Sequence, residues 1–136
     1  MEVREARNGD ELHRGLALLA PADYQMRVVR SGTRYSVSCQ PGEKVSGHRP
    51  SVDALFFSMA EQVKCKMAGI IMTGMGRDGA DGLLKMRQAG AYTIGQDKES
   101  SVVYGMPMVA YNIGAVQIQG SCEDIAGILL RQLQKW

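Results

Sequence analysis

The segment AGIIMTGMGRDGADG, Ala68 to Gly82, constrains this chain more than any other. Ala68 to Met72 is a short apolar run. It breaks into a turn carrying Gly74, Gly76 and Gly79, and LLKMRQAG follows with helical spacing. A short apolar run bounded by glycine reads as a buried strand. Glycines let the backbone reverse where other residues cannot. A strand, a tight turn and a helix N-terminus form the place where open α/β sheets hold ligands and chemistry. A carboxylate, Asp78, sits inside that turn, and the function of the chain depends on its role.

The flanking patterns extend the same architecture. Val52, Leu55, Phe56, Met59 and Val63 form the stripe of a helix with one buried face, with Ser51 as its N-cap and Asp53 in its first turn. These Met and Phe side chains are core. Residues 80–89 predict a helix ended by Gly90, and 92–96 the next strand. Pro107 suits the first turn of a short helix that ends at Gly114. Ala115 to Gln119 predicts a last strand. Ser121, with Asp124 three residues on, starts a final helix. The second half is therefore β-α-β-α-β-α, and its strands should be parallel. Before it, Val3 to Ala6 and Leu16 to Ala20 predict short strands. Met26 to Val29 and Tyr35 to Ser38 predict a hairpin around Ser31-Gly32. Its Arg27, Arg30 and Arg34 read as a solvated tip. The expected fold is one α/β domain, a doubly wound, mostly parallel sheet with helices on both faces and an antiparallel β-hairpin.

Composition narrows the function. The 136 residues carry 16 basic and 14 acidic side chains, which makes no electrostatic case for nucleic acid or an anionic membrane. No apolar run approaches the ~20 residues that span a bilayer, and the charged start MEVREARNGDE has no secretory pattern. Cys39, Cys65 and Cys122 are widely spaced and odd in number. They suit reduced thiols in a cytoplasm, with no metal-ligand spacing.

Three readings of the turn stand open on the residues alone. Gly74-Met75-Gly76-Arg77-Asp78-Gly79 is GxGxxG, and Asp97 ends the next strand, as in a dinucleotide site. Against it, a carboxylate within a phosphate cradle repels its anion. Alternatively, a buried Asp at a helix N-terminus suits a Ser-His-Asp system. The chain offers His13 and His48, and no serine in a GxSxG elbow; Ser100, His48 and Asp78 are the internal candidates. Thirdly, Asp78 caps the helix beginning near Ala80, and its removal costs about 1 kcal/mol or less.

The stretches TGMGRDGADGLL, QAGAYTIGQDKESSVVYGMP, NIGAV and GHRPSVDALFFSMAE resemble the catalytic domain of bacterial chemotaxis protein-glutamate methylesterases. A weaker likeness runs through LLAPADYQMRVVRSG to the VREA start, so it covers nearly the whole chain. The resemblance implies that Asp78 is the acid of a Ser-His-Asp triad and that Thr73, Gly74, Met75 and Gly76 line the active site, with no cofactor or metal. It implies a methylated chemoreceptor as the protein substrate of the complete domain, no nucleic-acid partner and no membrane insertion. The family's serine turn, GAS-T-GG, and histidine segment, QHMP, do not occur in these residues. The chain is therefore expected to be the C-terminal two-thirds of the catalytic domain, without a receiver domain and inactive alone. An open sheet edge is expected to pair two copies into a homodimer.

Overall fold

The C-terminal half sets the frame. In the computed structural model, which describes residues 1–136, β5 (Ala68–Ile71), β6 (Tyr92–Gln96) and β7 (Ile118–Gly120) form a parallel sheet in that order. Ala68 lies opposite Tyr92, and Ile94 opposite Ile118. Helices α2 (Ala80–Gln88) and α3 (Met106–Asn112) connect the strands, and α4 (Ile125–Lys135) closes the chain. Alternation along each strand sends side chains to opposite faces. Ile71 enters a core with Leu83, Met86, Ala110 and Val116, beneath α2 and α3. Ile94 faces the other way, onto Ile125 and Ile128 of α4. Both faces are thus covered by helices, as parallel strands require. Each fully buried Ile or Leu contributes roughly 1.5–3 kcal/mol.

The N-terminal half comprises β1 (Glu2–Glu5) parallel to β2 (Leu16–Leu19), and the hairpin of β3 (Gln25–Ser31) with β4 (Arg34–Gln40). Met26, Val37 and Cys39 point inward onto Ala6 and Leu55. Helix α1 (Val52–Gln62) lies between this hairpin and α2, and joins the two halves. The Ser58 hydroxyl accepts from Val28 N–H at 2.8 Å and donates to the Leu55 carbonyl at 2.6 Å, so a buried polar residue stitches helix to strand.

Three details depart from the sequence pattern. The parallel strands fall into two separate sheets, and neither the free side of β2 nor that of β5 has a strand partner. The last strand is Ile118–Gly120 and not residues 115–119, because the Ala115 amide still donates to the Ala110 carbonyl of α3 at 2.9 Å. Ser121 accepts from Asp124 N–H at 3.2 Å and shapes the turn before α4, whose first residue is Ile125. No helix is long and apolar enough to cross a membrane.

Candidate functional site

Gly79 adopts φ 95°, in the left-handed region glycine tolerates, and the chain reverses there from the turn into α2. Asp78, 5% exposed, turns its carboxylate away from α2 and toward α1. Oδ1 accepts from the Ser51 hydroxyl at 2.8 Å and from Asp53 N–H at 2.9 Å, and Oδ2 accepts from Val52 N–H at 2.9 Å. These donors are the unpaired first turn of α1, whose positive end favours a carboxylate. The expectation that Asp78 caps the helix near Ala80 is therefore corrected. The N-cap of α2 is Gly79, which offers no side chain, and the helix Asp78 caps is α1. The sequence pattern could not show this because the two segments are 25 to 27 residues apart.

The service is returned. Asp53, 1% exposed on α1, accepts from Gly82 N–H in the first turn of α2 at 2.8 Å, and from the Ser46 hydroxyl at 2.7 Å. A Cβ at Gly82 would lie 2.6 Å from Phe56 Cβ and 3.0 Å from Asp53 Oδ1, so this crossing needs glycine. Each helix thus presents a carboxylate to the other's N-terminus. By spacing alone Asp53 has only a first-turn charge role and Ser51 only its own cap. Spacing carried little signal for this, because Asp53 and Ser58 fall to either side of the Val52-Leu55-Phe56-Met59 stripe and yet both are buried. Gln25, 1% exposed, completes the support. Its Oε1 accepts from Ser51 N–H at 2.9 Å, and its Nε2 donates to the carbonyls of Glu43 and His48.

The other side of the turn is pinned to the loop after β6. Thr73 N–H donates to Gln96 Oε1 at 2.7 Å. The Thr73 hydroxyl accepts from Val103 N–H at 2.9 Å and donates to the Val103 carbonyl at 3.1 Å. Gly74 N–H also donates to the Val103 carbonyl, and the Gly74 carbonyl accepts from Gly105 and Met106. Both backbone groups of Gly74 are thus spent on holding the turn. Met75, 81% exposed, and Gly76 stand at the rim, with Met72, Val102 and Val103 exposed beside them.

No hydrogen bond joins the internal triad candidates Ser100, His48 and Asp78 to one another. The Ser100 hydroxyl donates to Asp97 Oδ1 at 2.7 Å and accepts from Gln96 Nε2 and Cys122 N–H. Asp97 is engaged in closing that turn, since it also accepts from Ser100 N–H at 2.9 Å. The ring of His13 pairs with the Arg14 carbonyl. No group of three or more His, Cys, Asp or Glu converges as metal ligands would. At the α2 N-terminus, where a pyrophosphate would need free amides, Gly82 N–H already carries the Asp53 carboxylate.

A carboxylate offers about four lone-pair positions. Asp78 fills two on Oδ1 and one on Oδ2, which leaves Oδ2 able to accept one more donor. The fold and this turn define a parallel α/β domain with its candidate chemistry beyond the carboxyl end of β5, the edge strand of its sheet. The chain belongs to the CheB methylesterase family, whose model matches residues 1–129. It is 57% identical over 119 residues to a protein-glutamate methylesterase/protein-glutamine glutaminase of Syntrophomonas wolfei, covering 88% of this chain and 35% of that protein. A Pseudomonas aeruginosa protein of the same name is 47% identical over 132 residues, covering 97% of this chain and 38% of the other. The crystal structure of the Thermotoga maritima CheB methylesterase catalytic domain superposes with a TM-score of 0.90 at 30% identity, covering 95% of this chain and 68% of that one. The chain thus spans a little over a third of the length of these two relatives.

Proposed function

We propose that these residues form the acid-bearing part of a domain that hydrolyses glutamyl methyl esters, and deamidates glutamines, on methylated chemoreceptors in the cytoplasm. The observation that carries this reading is the seating of Asp78. It is buried at the carboxyl end of β5, held by three donors and left with one open position on Oδ2.

In this reading the serine and histidine come from strands outside these 136 residues. The serine oxygen attacks the glutamyl carbonyl carbon while the histidine takes its proton. Methanol, or ammonia from glutamine, leaves with that proton. Water then attacks the acyl-serine carbonyl carbon while the histidine takes its proton. The bond from that carbon to the serine oxygen breaks to release the glutamate carboxyl, and the histidine passes the proton to the serine oxygen. Asp78 accepts an N–H from the imidazole, fixes its tautomer and stabilises its charged form. Thr73, Gly74, Met75 and Gly76 shape the wall beside it. No cofactor or metal enters the chemistry.

The test measures methanol release from methylated receptor by the complete domain, by its Asp78→Asn variant and by the 136-residue chain. The complete domain should turn over, its variant should be strongly slowed after correction for folded fraction, and the chain alone should show no enzyme-like rate. Unchanged turnover in the variant, or an enzyme-like rate from the chain alone, would overturn the reading.

A further inference from the structure

The triad acid is aimed by a helix other than the one that follows its own turn. Asp78 makes no side-chain cap for α2. Its three donors all come from residues 51–53, and the Ser51 hydroxyl is the one side-chain donor among them. That hydroxyl faces both ways. It donates to Asp78 Oδ1 at 2.8 Å and accepts from Ala54 N–H at 3.2 Å, so the cap of α1 and the grip on Asp78 share one oxygen. The backbone of Ser51 is itself fixed, because its N–H is held by the buried Gln25. Two bonds on Oδ1 against one on Oδ2 break the symmetry of the carboxylate, and leave Oδ2 as the oxygen with an unfilled position. Resting on the proposed triad role of Asp78, we propose that Ser51 is a positioning residue for that carboxylate: its hydroxyl fixes the rotation that presents Oδ2 to an imidazole N–H.

The mechanism is geometric. Without the hydroxyl, Asp53 N–H alone holds Oδ1 and Val52 N–H alone holds Oδ2. The carboxylate then keeps one amide bond on each oxygen and rocks over a wider angle about its Cβ–Cγ bond, so the acceptor position offered to the imidazole moves with it. A triad hydrogen bond then forms in only part of the population. Misplacement on the ångström scale costs up to about a hundredfold in rate.

Capping and positioning can be separated by choice of variant. Glycine is tolerated at an N-cap nearly as well as serine, so Ser51→Gly keeps α1 and removes the donor. Ser51→Thr keeps the donor, and the extended backbone at Ser51 (φ −109°, ψ 136°) accommodates a β-branched residue. In the complete methylesterase domain, Ser51→Gly should lower kcat roughly tenfold to a hundredfold with KM unchanged, and Ser51→Thr should recover most of it. The urea midpoint of Ser51→Thr should stay close to wild type, whereas that of Ser51→Gly should fall with the loss of a buried charge-assisted bond, so kcat is compared after correction for folded fraction.

Wild-type kcat in Ser51→Gly, alongside a strongly slowed Asp78→Asn, would overturn the positioning role and leave the triad reading standing. Wild-type kcat in Asp78→Asn would remove the triad reading, and the proposal with it. A second measurement needs no activity. In the 136-residue chain, through-hydrogen-bond NMR couplings should connect the Val52 and Asp53 amide nitrogens to the Asp78 carboxyl carbon, and weaken in Ser51→Gly. Couplings unchanged in Ser51→Gly would show that the amides alone fix the carboxylate, and would overturn the proposal.

Discussion

Replacing Asp78 by Asn in this chain tests the seating of the carboxylate directly. The carboxylate takes three hydrogen bonds, from Ser51 Oγ, Val52 N–H and Asp53 N–H, while only 5% exposed. An amide has one acceptor oxygen. If that oxygen serves Ser51 and Asp53, the NH2 group meets Val52 N–H, donor against donor across 2.9 Å. Flipping the amide moves the conflict to Asp53 N–H. One buried N–H left unpaired costs about 1–3 kcal/mol, and the bonds that survive drop from charge-assisted to neutral, losing roughly 0.5–1.5 kcal/mol each. The sum runs from about 2 to 6 kcal/mol and centres near 4 kcal/mol, well above the single-cap cost of about 1 kcal/mol that the residue pattern suggested. Stabilities of about 5–15 kcal/mol make this a large fraction of the total. Asp81→Asn is the control. Asp81 is half exposed and pairs only with Arg77, so it should change stability by about 0.5 kcal/mol or less. Urea unfolding followed by far-UV circular dichroism, with an unchanged m-value, reads both. An Asp78→Asn chain within about 0.5 kcal/mol of wild type would refute the claim that three donors converge on this carboxylate.

Five further outcomes follow from the geometry. Gly82→Ala should destabilise by about 1–3 kcal/mol, because overpacking against Phe56 and Asp53 outweighs helix propensity. Gly127→Ala in α4, whose Cβ would meet only Arg131, should stabilise by up to about 1 kcal/mol in the same unfolding assay. A calorimetric titration with NAD should show no binding at Gly74 to Gly79, since Asp53 occupies the Gly82 amide; micromolar binding would reverse this. The Arg4 guanidinium at 2.6 Å, with Arg7 N–H, holds the Asp10 carboxyl below the ordinary carboxylate range. That contribution is complete above the unfolded-state value of about 3.9 and is lost as pH falls through the lower folded value. The stability gap between wild type and Asp10→Asn should therefore close in acid, and a gap that persists would refute the assignment. Sedimentation at micromolar concentration should show a dimer or larger species, because the free sides of β2 and β5 lack strand partners. A stable monomer would count against edge pairing.

Periodicity and turn chemistry determined a good deal about this protein without any structure. The stripe of α1, the limits of β6 and the parallel succession in the C-terminal half depend on spacing and on glycine and proline, which act locally. So does the hairpin around Ser31-Gly32, observed between β3 and β4. The glycine turn marked Asp78 as the residue to explain, because a carboxylate beside a helix start needs a partner. What the spacing of residues could not show is which helix start. Tertiary packing brings residues 51–53 against Asp78, and the same crossing delivers Asp53 to Gly82. A side chain's conformation is set by the donors that surround it once water is excluded, and those donors come from wherever the chain returns. For the same reason the separation of the parallel strands into two sheets was invisible in the pattern. Alternation records which face a strand buries, and says nothing of which neighbour fills its hydrogen-bonding edge.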